Sequence, residues 1–265
     1  MTSILIVIPT LNSYQILPSL VQSLRDQSHK EWRVLFVDGA SNSAHRAWLE
    51  RICAQDMRFR WVKQIEPNSG IFGAMNQGFS FAHPSRDWLL FWGSDDRAAS
   101  PNVLERASVR LQQLAHTDST PDLYICQGQY YSLIPSSEQL SSIRLKRFSR
   151  FIWFQSFRRS LFCGSSPPHQ ATFFGPGARR LVHQYAADLR IAADLDYFLR
   201  LSNTANIKVV LDDFNLVLMG DSGISAQKNK QRLREVIYSY QRAFGKRWWA
   251  PFIFRYIQRF CSILF

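Results

Sequence analysis

Cysteine is scarce and scattered in this chain. Cys53, Cys126, Cys163 and Cys261 lie far apart and form no Cys-x-x-Cys pair, which argues for a reducing compartment and against a zinc site. Long apolar runs are missing as well: no stretch of about 18 uncharged apolar residues occurs, so nothing is expected to span a bilayer. The start, Met1-Thr2-Ser3-Ile4, lacks a basic segment leading into a long apolar core. No secretory leader is therefore expected, and the protein is read as cytoplasmic. P-loop and Gly-x-Gly-x-x-Gly fingerprints are absent, and so are Ser-His-Asp and Cys-His signatures. Acid is in short supply: 20 Asp and Glu stand against 32 Lys and Arg, for a net charge of +12. That surplus favours an anionic partner, whether nucleotide, membrane surface or nucleic acid.

What is present supports a sizeable core. Hydrophobic residues make up 46% of 265 positions, enough for one large α/β domain or two small ones. The organising stretch is Trp88-Leu89-Leu90-Phe91-Trp92-Gly93-Ser94-Asp95-Asp96. A short apolar run bounded by turn residues reads as a buried strand of a covered sheet. This one delivers two adjacent carboxylates to the strand's C-terminal edge, where ligands bind in open α/β sheets. Two carboxylates held together repel and call for a cation. Hard oxygen donors suit Mg²⁺ or Mn²⁺ bridging to a diphosphate. The competing reading is a solvated pair capping a helix that begins near Pro101.

Ile4 to Ile8 reads as a first buried strand, ended by Pro9-Thr10-Leu11-Asn12. Helical spacing of Ile16, Leu17, Leu20, Val21 and Leu24 predicts a helix to Gln27. Strands follow at Trp32–Val37 and Phe59–Val62, and helices at Ala44–Gln55, Gly70–Ala82 and Pro101–His116. Alternating strands and helices with short loops predict a parallel, Rossmann-like sheet with right-handed crossovers. Later strands are expected at Leu123–Cys126, Ile207–Leu211 and Phe214–Met219, the last leading into the loop Gly220-Asp221-Ser222-Gly223. Asp194 marks a helix start, with Leu195, Phe198 and Leu199 as its apolar face, and a basic helix spans Lys228–Phe244.

Two segments stand apart. From Ile143 to Phe162, arginines and a lysine interleave with Phe148, Phe151, Trp153, Phe154 and Phe157. This suits nucleic acid, a membrane interface or a solvated helix with one packed face. At about 100° per residue its charges gather poorly on one side. From Trp248 to Phe265, Arg255, Gln258, Arg259 and Ser262 form one narrow polar stripe in an aromatic and aliphatic helix. That helix either docks on the core or lies in a membrane interface.

Several pieces together resemble the family 2 glycosyltransferases, the inverting GT-A-fold enzymes of polysaccharide and glycolipid assembly. They are Ile6 to Asn12, Val37-Asp38-Gly39-Ala40-Ser41, Glu66 to Gly78, Ser94-Asp95-Asp96, His169-Gln170, and Ala193-Asp194-Leu195-Asp196-Tyr197. They occur in the family's order over residues 4 to 225. The segment from Glu66 to Gly78 looks most like the exopolysaccharide and colanic acid branch. The resemblance implies a GT-A domain over about residues 1–225, with a nucleotide-binding half to about 100 and an acceptor-binding half from 101. Beyond the resemblance, residues 226–265 are expected to form C-terminal helices, with membrane association as one reading of their aromatic and basic composition. The resemblance puts the nucleotide on Pro9, Thr10 and Asn12, with Asp38 reading the base. Asn76 and Asp95 would lie against nucleotide and sugar, Asp96 (with Asp95) would hold Mn²⁺ or Mg²⁺, and His169, Gln170 and Asp196 would lie near the sugars. Three departures stand out: Ser41-Asn42-Ser43 replaces Ser-Thr-Asp, Gly73 replaces an Asp, and Ala193 replaces the Glu of a Glu-Asp pair.

The chemistry implied is displacement of a nucleoside diphosphate from a sugar's anomeric carbon by an acceptor hydroxyl. It requires a Lewis acid for the leaving charge and a base for the hydroxyl proton. Asp194 or Asp196 could serve as base; two residues apart on a helix they differ by about 200°, so only one can face the donor. Asp194, aligned with the final Asp of the family pair, is taken as the base, and Asp196 as a partner for Arg200 at i+4. The expected partners are a nucleotide-sugar, a glycan or polyprenyl-linked acceptor and an anionic membrane surface at the inner face of the cell membrane. Other readings are a catalytically silent relative and a basic nucleic-acid-binding protein; the latter leaves the Asp-Asp strand end unexplained.

Overall fold

The computed structural model describes residues 2–65, 70–117, 119–134, 142–204, 206–221 and 229–264. Glu66 to Ser69 of the family-like segment, and Ser222 and Gly223 of the predicted loop, lie outside the described residues. The first half alternates as predicted. Strands β1 (Ser3–Thr10), β2 (Trp32–Asp38), β3 (Phe59–Lys63) and β4 (Asp87–Phe91) pair in parallel, in the spatial order β3-β2-β1-β4. Helices α1 (Leu17–Arg25), α2 (Ser43–Gln55), α3 (Ile71–Phe81) and α4 (Val103–His116) connect or flank them. The β-branched run in β1 is buried on both faces because alternate side chains enter different cores. Ile4, Ile6 and Ile8 pack with α1, α2 and α4; Leu5 and Val7 pack with α3.

The second half adds β5 (Arg97–Ala98), β6 (Leu123–Ile134), β7 (Ser142–Ser149), α5 (Phe157–Phe162), β8 (Thr172–Phe174), α6 (Pro176–Leu181), α7 (Ala193–Ser202), β9 (Val209–Gly220), α8 (Asn229–Phe244) and α9 (Trp249–Leu264). The strands continue one sheet, β3-β2-β1-β4-β8-β6-β9-β5, with β7 hung on β6. The sheet is mostly parallel by ladder length, since β6 and β9 also run parallel, while β8, β7 and β5 pair antiparallel.

Three sequence expectations are corrected. The organising strand stops at Phe91, and Trp92 to Asp96 form a loop closed by the Asp96 N–H donating to the Gly93 carbonyl at 3.2 Å. The two predicted pieces at 207–219 are one strand: Asp212 is accepted within it because the Tyr124 hydroxyl donates to its carboxylate at 2.9 Å and Arg106 lies 3.5 Å away. The basic-aromatic segment is no continuous helix. Its first part is β7, paired antiparallel to β6, and only its end forms α5. Charges that scatter around a helix alternate acceptably on an exposed edge strand.

At the C-terminus the polar stripe is turned inward. Arg255 donates to Ser166 Oγ at 2.9 Å and Gln258 donates to the Cys163 carbonyl at 2.8 Å. The side chains of Arg259 and Ser262 lie outside the described residues. No helix among the described residues is long and apolar enough to cross a membrane.

Candidate active site

β1 has β2 on one side and β4 on the other, so chain direction away from β1 reverses there. At such a switch point the loops leaving two neighbouring strands diverge and open a crevice at their C-terminal ends. Here the diverging exits are the end of β1 with its loop, Pro9 to Asn12, and the loop Trp92 to Asp96. Ser94 ties them together: its hydroxyl donates to the Pro9 carbonyl at 3.1 Å and receives Ser13 Oγ at 3.0 Å.

On the β1–β2 side, register sets Thr10 beside Asp38. Thr10 Oγ1 is buried with no hydrogen-bond partner among the described residues, and a buried hydroxyl is seldom left unpaired. Asn12, at φ 51°, occupies the left-handed region that Asn tolerates. Its N–H donates to Ser41 Oγ at 2.8 Å and its Oδ1 accepts the Asn42 N–H at 2.9 Å. Asp38 is fully buried; it accepts the Ser41 N–H at 3.1 Å and also the Ser41 hydroxyl, with His45 3.6 Å away. Burial holds His45 below the usual imidazole range, opposed by the Asp38 charge. Asn12 and Asp38 thus fasten the two exit loops to each other.

Across the crevice the carboxylate pair is asymmetric. Asp96 is buried, and burial first, then the Asp95 charge, pushes its carboxyl well above the usual range. Backbone N–H groups of Gly93 and Gly220 pull the other way, the first at 2.5 Å. Asp95 is half-buried and lies against Gly220 of β9, where a Cβ would fall 2.2 Å from Asp95 Oδ2. Only a residue without a side chain fits there. Tyr131 of β6 donates to the Asp95 carbonyl at 2.7 Å, and the Arg97 guanidinium lies 4.3 Å above the Tyr131 ring. No group of three or more His, Cys, Asp or Glu forms among the described residues. Two crowded carboxylates in a glycine-lined cradle are nevertheless hard oxygen donors of the kind that suits a divalent cation.

The third wall comes from 169–196. Trp92 donates through Nε1 to the Gln170 carbonyl at 2.9 Å, and His169 stacks on Phe91 with centroids 5.5 Å apart. His169 Nε2 lies 2.7 Å from the Tyr185 hydroxyl. Burial lowers the His169 imidazole to about 4, against the pull of the Asp194 charge. Asn76 of α3 closes both ends of its amide on Tyr185, accepting its N–H at 2.7 Å and donating to its carbonyl at 3.1 Å. An amide so engaged positions this wall.

Asp194 and Asp196 differ sharply. Asp194 stands half-buried in the first turn of α7, where the helix dipole favours a carboxylate. No hydrogen bond or ion pair to its side chain occurs among the described residues. Asp196 is buried, with Arg200 Nε at 2.7 Å and Arg242 of α8 at 3.3 Å. Both oxygens of the Asp196 carboxylate are thus engaged by guanidiniums of the protein itself, whereas Asp194 carries no such pairing among the described residues. The loop before Asp194 is pinned by Glu235 of α8, whose Oε2 accepts the N–H groups of Arg190, Ile191 and Ala192 at 3.1, 2.7 and 2.9 Å. Sequence reasoning missed Tyr131, Tyr185, Gly220, Glu235 and Arg242. Of these only Gly220, ending an apolar strand, left a signal.

The model of the glycosyl transferase family 2 domain matches residues 5–174. A Mycobacterium bovis glycosyltransferase of PGL/p-HBAD biosynthesis is 28% identical over 203 residues, 76% of this chain and 70% of that protein. An uncharacterized glycosyltransferase of Mycobacterium tuberculosis is 30% identical over 215 residues, 80% of this chain and 74% of its own. An Escherichia coli protein named as a glycosyl transferase of colanic acid biosynthesis is 27% identical over 59% of each chain. Among solved structures, Staphylococcus aureus TarS superposes with a TM-score of 0.62 at 15% identity, over 93% of this chain and 67% of the other. The mannosyltransferase PcManGT of Pyrobaculum calidifontis, solved with GDP-Man and Mn²⁺, gives 0.61 at 13%, over 91% and 63%. The fold is that of these GT-A neighbours, and the chain belongs to glycosyl transferase family 2.

Proposed function

We propose that the protein is an inverting, metal-dependent glycosyltransferase of hexosyltransferase type. It would move a sugar from a nucleotide-diphosphate-sugar to a hydroxyl of a glycan or polyprenyl-linked acceptor, working at the inner face of a cell membrane. The observation that carries this is the pairing of crowded Asp95 and Asp96 with the unpartnered Thr10 hydroxyl at the β1–β4 switch point. TarS has been solved with UDP and with UDP-GlcNAc, and PcManGT with GDP-Man and Mn²⁺, which supports a nucleotide-sugar donor.

In this reading Thr10 and the loop fastened by Asn12 and Asp38 take the nucleotide in the half formed by about residues 1–100. The acceptor enters over residues 101–225. Asp95 and Asp96 would hold Mn²⁺ or Mg²⁺, which when bound supplies Lewis-acid neutralisation of the leaving diphosphate. Asp194, in the first turn of α7, takes the acceptor hydroxyl's proton. The acceptor oxygen bonds to the anomeric carbon as the carbon–phosphate-oxygen bond breaks, its electron pair leaving on the diphosphate. Attack opposite the leaving group inverts the anomeric centre. Neutral His169, Tyr185 and Asn76 keep the wall beside Asp194 in place.

The departures at Ser43, Gly73 and Ala193 favour, as the second reading, a silent relative that binds donor or a partner without transferring sugar. A panel of nucleotide-sugars, tested with and without Mn²⁺ for thermal stabilisation and hydrolysis, separates the two. Stabilisation with slow hydrolysis, both lost in Asp96→Ala, is the expected result. Stabilisation without hydrolysis or transfer to any acceptor would support the silent reading. No stabilisation by any donor, or unchanged affinity and Mn²⁺ dependence in Asp96→Ala, would overturn the proposal.

A further inference from the structure

Helix α9 carries its polarity the wrong way round for a water-facing helix. Arg255 and Gln258, polar residues of its described part, are spent on Ser166 and Cys163 of the protein body. The helix backbone lies so close to the body there that a Cβ on Gly164 would meet the Arg255 nitrogen at 2.3 Å, and Gly164 itself sits at φ +88°. The docking is therefore built in by a glycine. On the opposite side Trp249, Ile253 and Ile257 face outward, with Trp249 57% and Ile257 52% exposed. At about 100° per residue these three fall within one apolar face. No described residue covers it, and such a face is a poor match for water.

Next to helix α9 lies a cleft of about 640 Å³, lined by Arg158, Arg159, Lys246 and Arg247 with Phe162 and Phe244. No acidic residue lines it. The four cations make no ion pair among the described residues; Arg158 instead donates to the Ala243 carbonyl at 3.1 Å. The cleft and helix are continuous through Phe162, whose ring meets Phe244 at 5.2 Å and Phe254 of α9 at 6.5 Å. An apolar helix face bordered by uncompensated cations matches one environment: the boundary between acyl chains and anionic head groups.

We infer that α9 and this cleft form the membrane-seating surface of the protein. The outward face of α9 enters the head-group boundary of an anionic bilayer, and the cleft cations hold lipid phosphates. The inference rests on the membrane-side reading above and names the surface responsible. It differs from the sequence expectation in mechanism, because Arg255 secures the helix to the protein and the cleft supplies the charge.

The test uses the full chain with vesicles of phosphatidylcholine alone or mixed with phosphatidylglycerol, read by co-sedimentation, with donor hydrolysis measured in parallel without lipid. Near a surface each cation contributes roughly fivefold in affinity, so Arg159→Gln/Lys246→Gln/Arg247→Gln should bind anionic vesicles about a hundredfold more weakly. Ile253→Ser/Ile257→Ser should leave only weak, salt-sensitive binding. Both variants should keep wild-type melting temperatures and lipid-free hydrolysis, which separates this surface from the transferase reading. Failure of the full chain to bind anionic vesicles, or wild-type binding by the two variants, would overturn the inference. So would light scattering showing a dimer that Ile253→Ser/Ile257→Ser dissolves, because a second copy would then cover the face.

Discussion

The two carboxylate pairs solve one electrostatic problem in opposite ways. Each has one half-buried member, Asp95 or Asp194, and one buried member, Asp96 or Asp196. Asp196 is neutralised by the protein itself, through Arg200 and Arg242. Asp96 has only two backbone N–H groups and a like charge next door. A buried charge left to dipoles alone is destabilising unless something else completes it. The contrast separates an acid neutralised within the protein from one that is not, although sequence shows both simply as neighbouring aspartates.

The largest effect should come from breaking the half-buried member of the second pair. Asp194→Asn should lower the transfer rate by about 10²–10⁴, the range for a positioned base. Donor affinity and melting temperature should stay put. Full transfer by Asp194→Asn would move the base elsewhere in the chain. Next in size is Gly220→Ala, which would place a methyl 2.2 Å from Asp95 Oδ2. Metal-dependent donor affinity should fall about 10–100-fold, as when a supporting contact to a ligating carboxylate is lost. Calorimetry with and without Mn²⁺ reads this directly, and unchanged affinity would detach β9 from the site.

How much of this was legible depended on whether the signal was local. Strands β1, β2 and β4 carry their own evidence, because a strand buried on both faces reads as a nearly continuous apolar run. The shared edge on which Pro9, Thr10, Asp38 and the Asp95-Asp96 loop lie follows from it, since parallel strands gather their exits at one edge; the roles of Pro9, Thr10 and Asp38 come from the family resemblance. The second half resisted for a physical reason. β6 and β9 are half-exposed and tolerate polar residues inside the strand, so Asp212 looked like a break. β7 lies on the sheet margin, where charge and aromatics are both acceptable. Glu235 and Arg242 sit 45 and 46 residues from their partners Arg190 and Asp196; no spacing rule reaches that far. Asn76 was found by resemblance, yet its hold on Tyr185 emerges only from tertiary packing.

The structural member of the second pair gives a smaller, different kind of effect. Removing one partner of a buried ion pair costs about 3–5 kcal/mol when the other stays buried. Arg200 and Arg242 are 25% and 45% exposed and can turn to water, so Asp196→Asn should cost only about 2–3 kcal/mol. Denaturant unfolding measures this, and transfer at permissive temperature should survive. A rate loss in a variant of wild-type stability would exchange the roles of Asp194 and Asp196.

The finest comparison is made by pH, through the histidine beside Asp194. His169 is held neutral by burial to about 4, whereas an unfolded histidine titrates near its usual value, about 6.5. Between those values the unfolded chain binds the extra proton. The contribution is therefore fully present above about pH 6.5 and is lost as pH falls toward 4. From pH 7 to pH 5 the loss should be about 2 kcal/mol. His45, also held down by burial, titrates in the same direction, so the quantity to measure is the difference between wild type and His169→Gln, which keeps a side chain able to meet the Tyr185 hydroxyl. Wild type should lose more stability than this variant on acidification, and equal losses would mean that His169 titrates normally. The Asp194 charge opposes the lowering, so in Asp194→Asn the His169 titration, followed by NMR, should move to still lower pH. An unmoved titration would show that the Asp194 carboxylate does not act on this wall, and would weaken its assignment as the base.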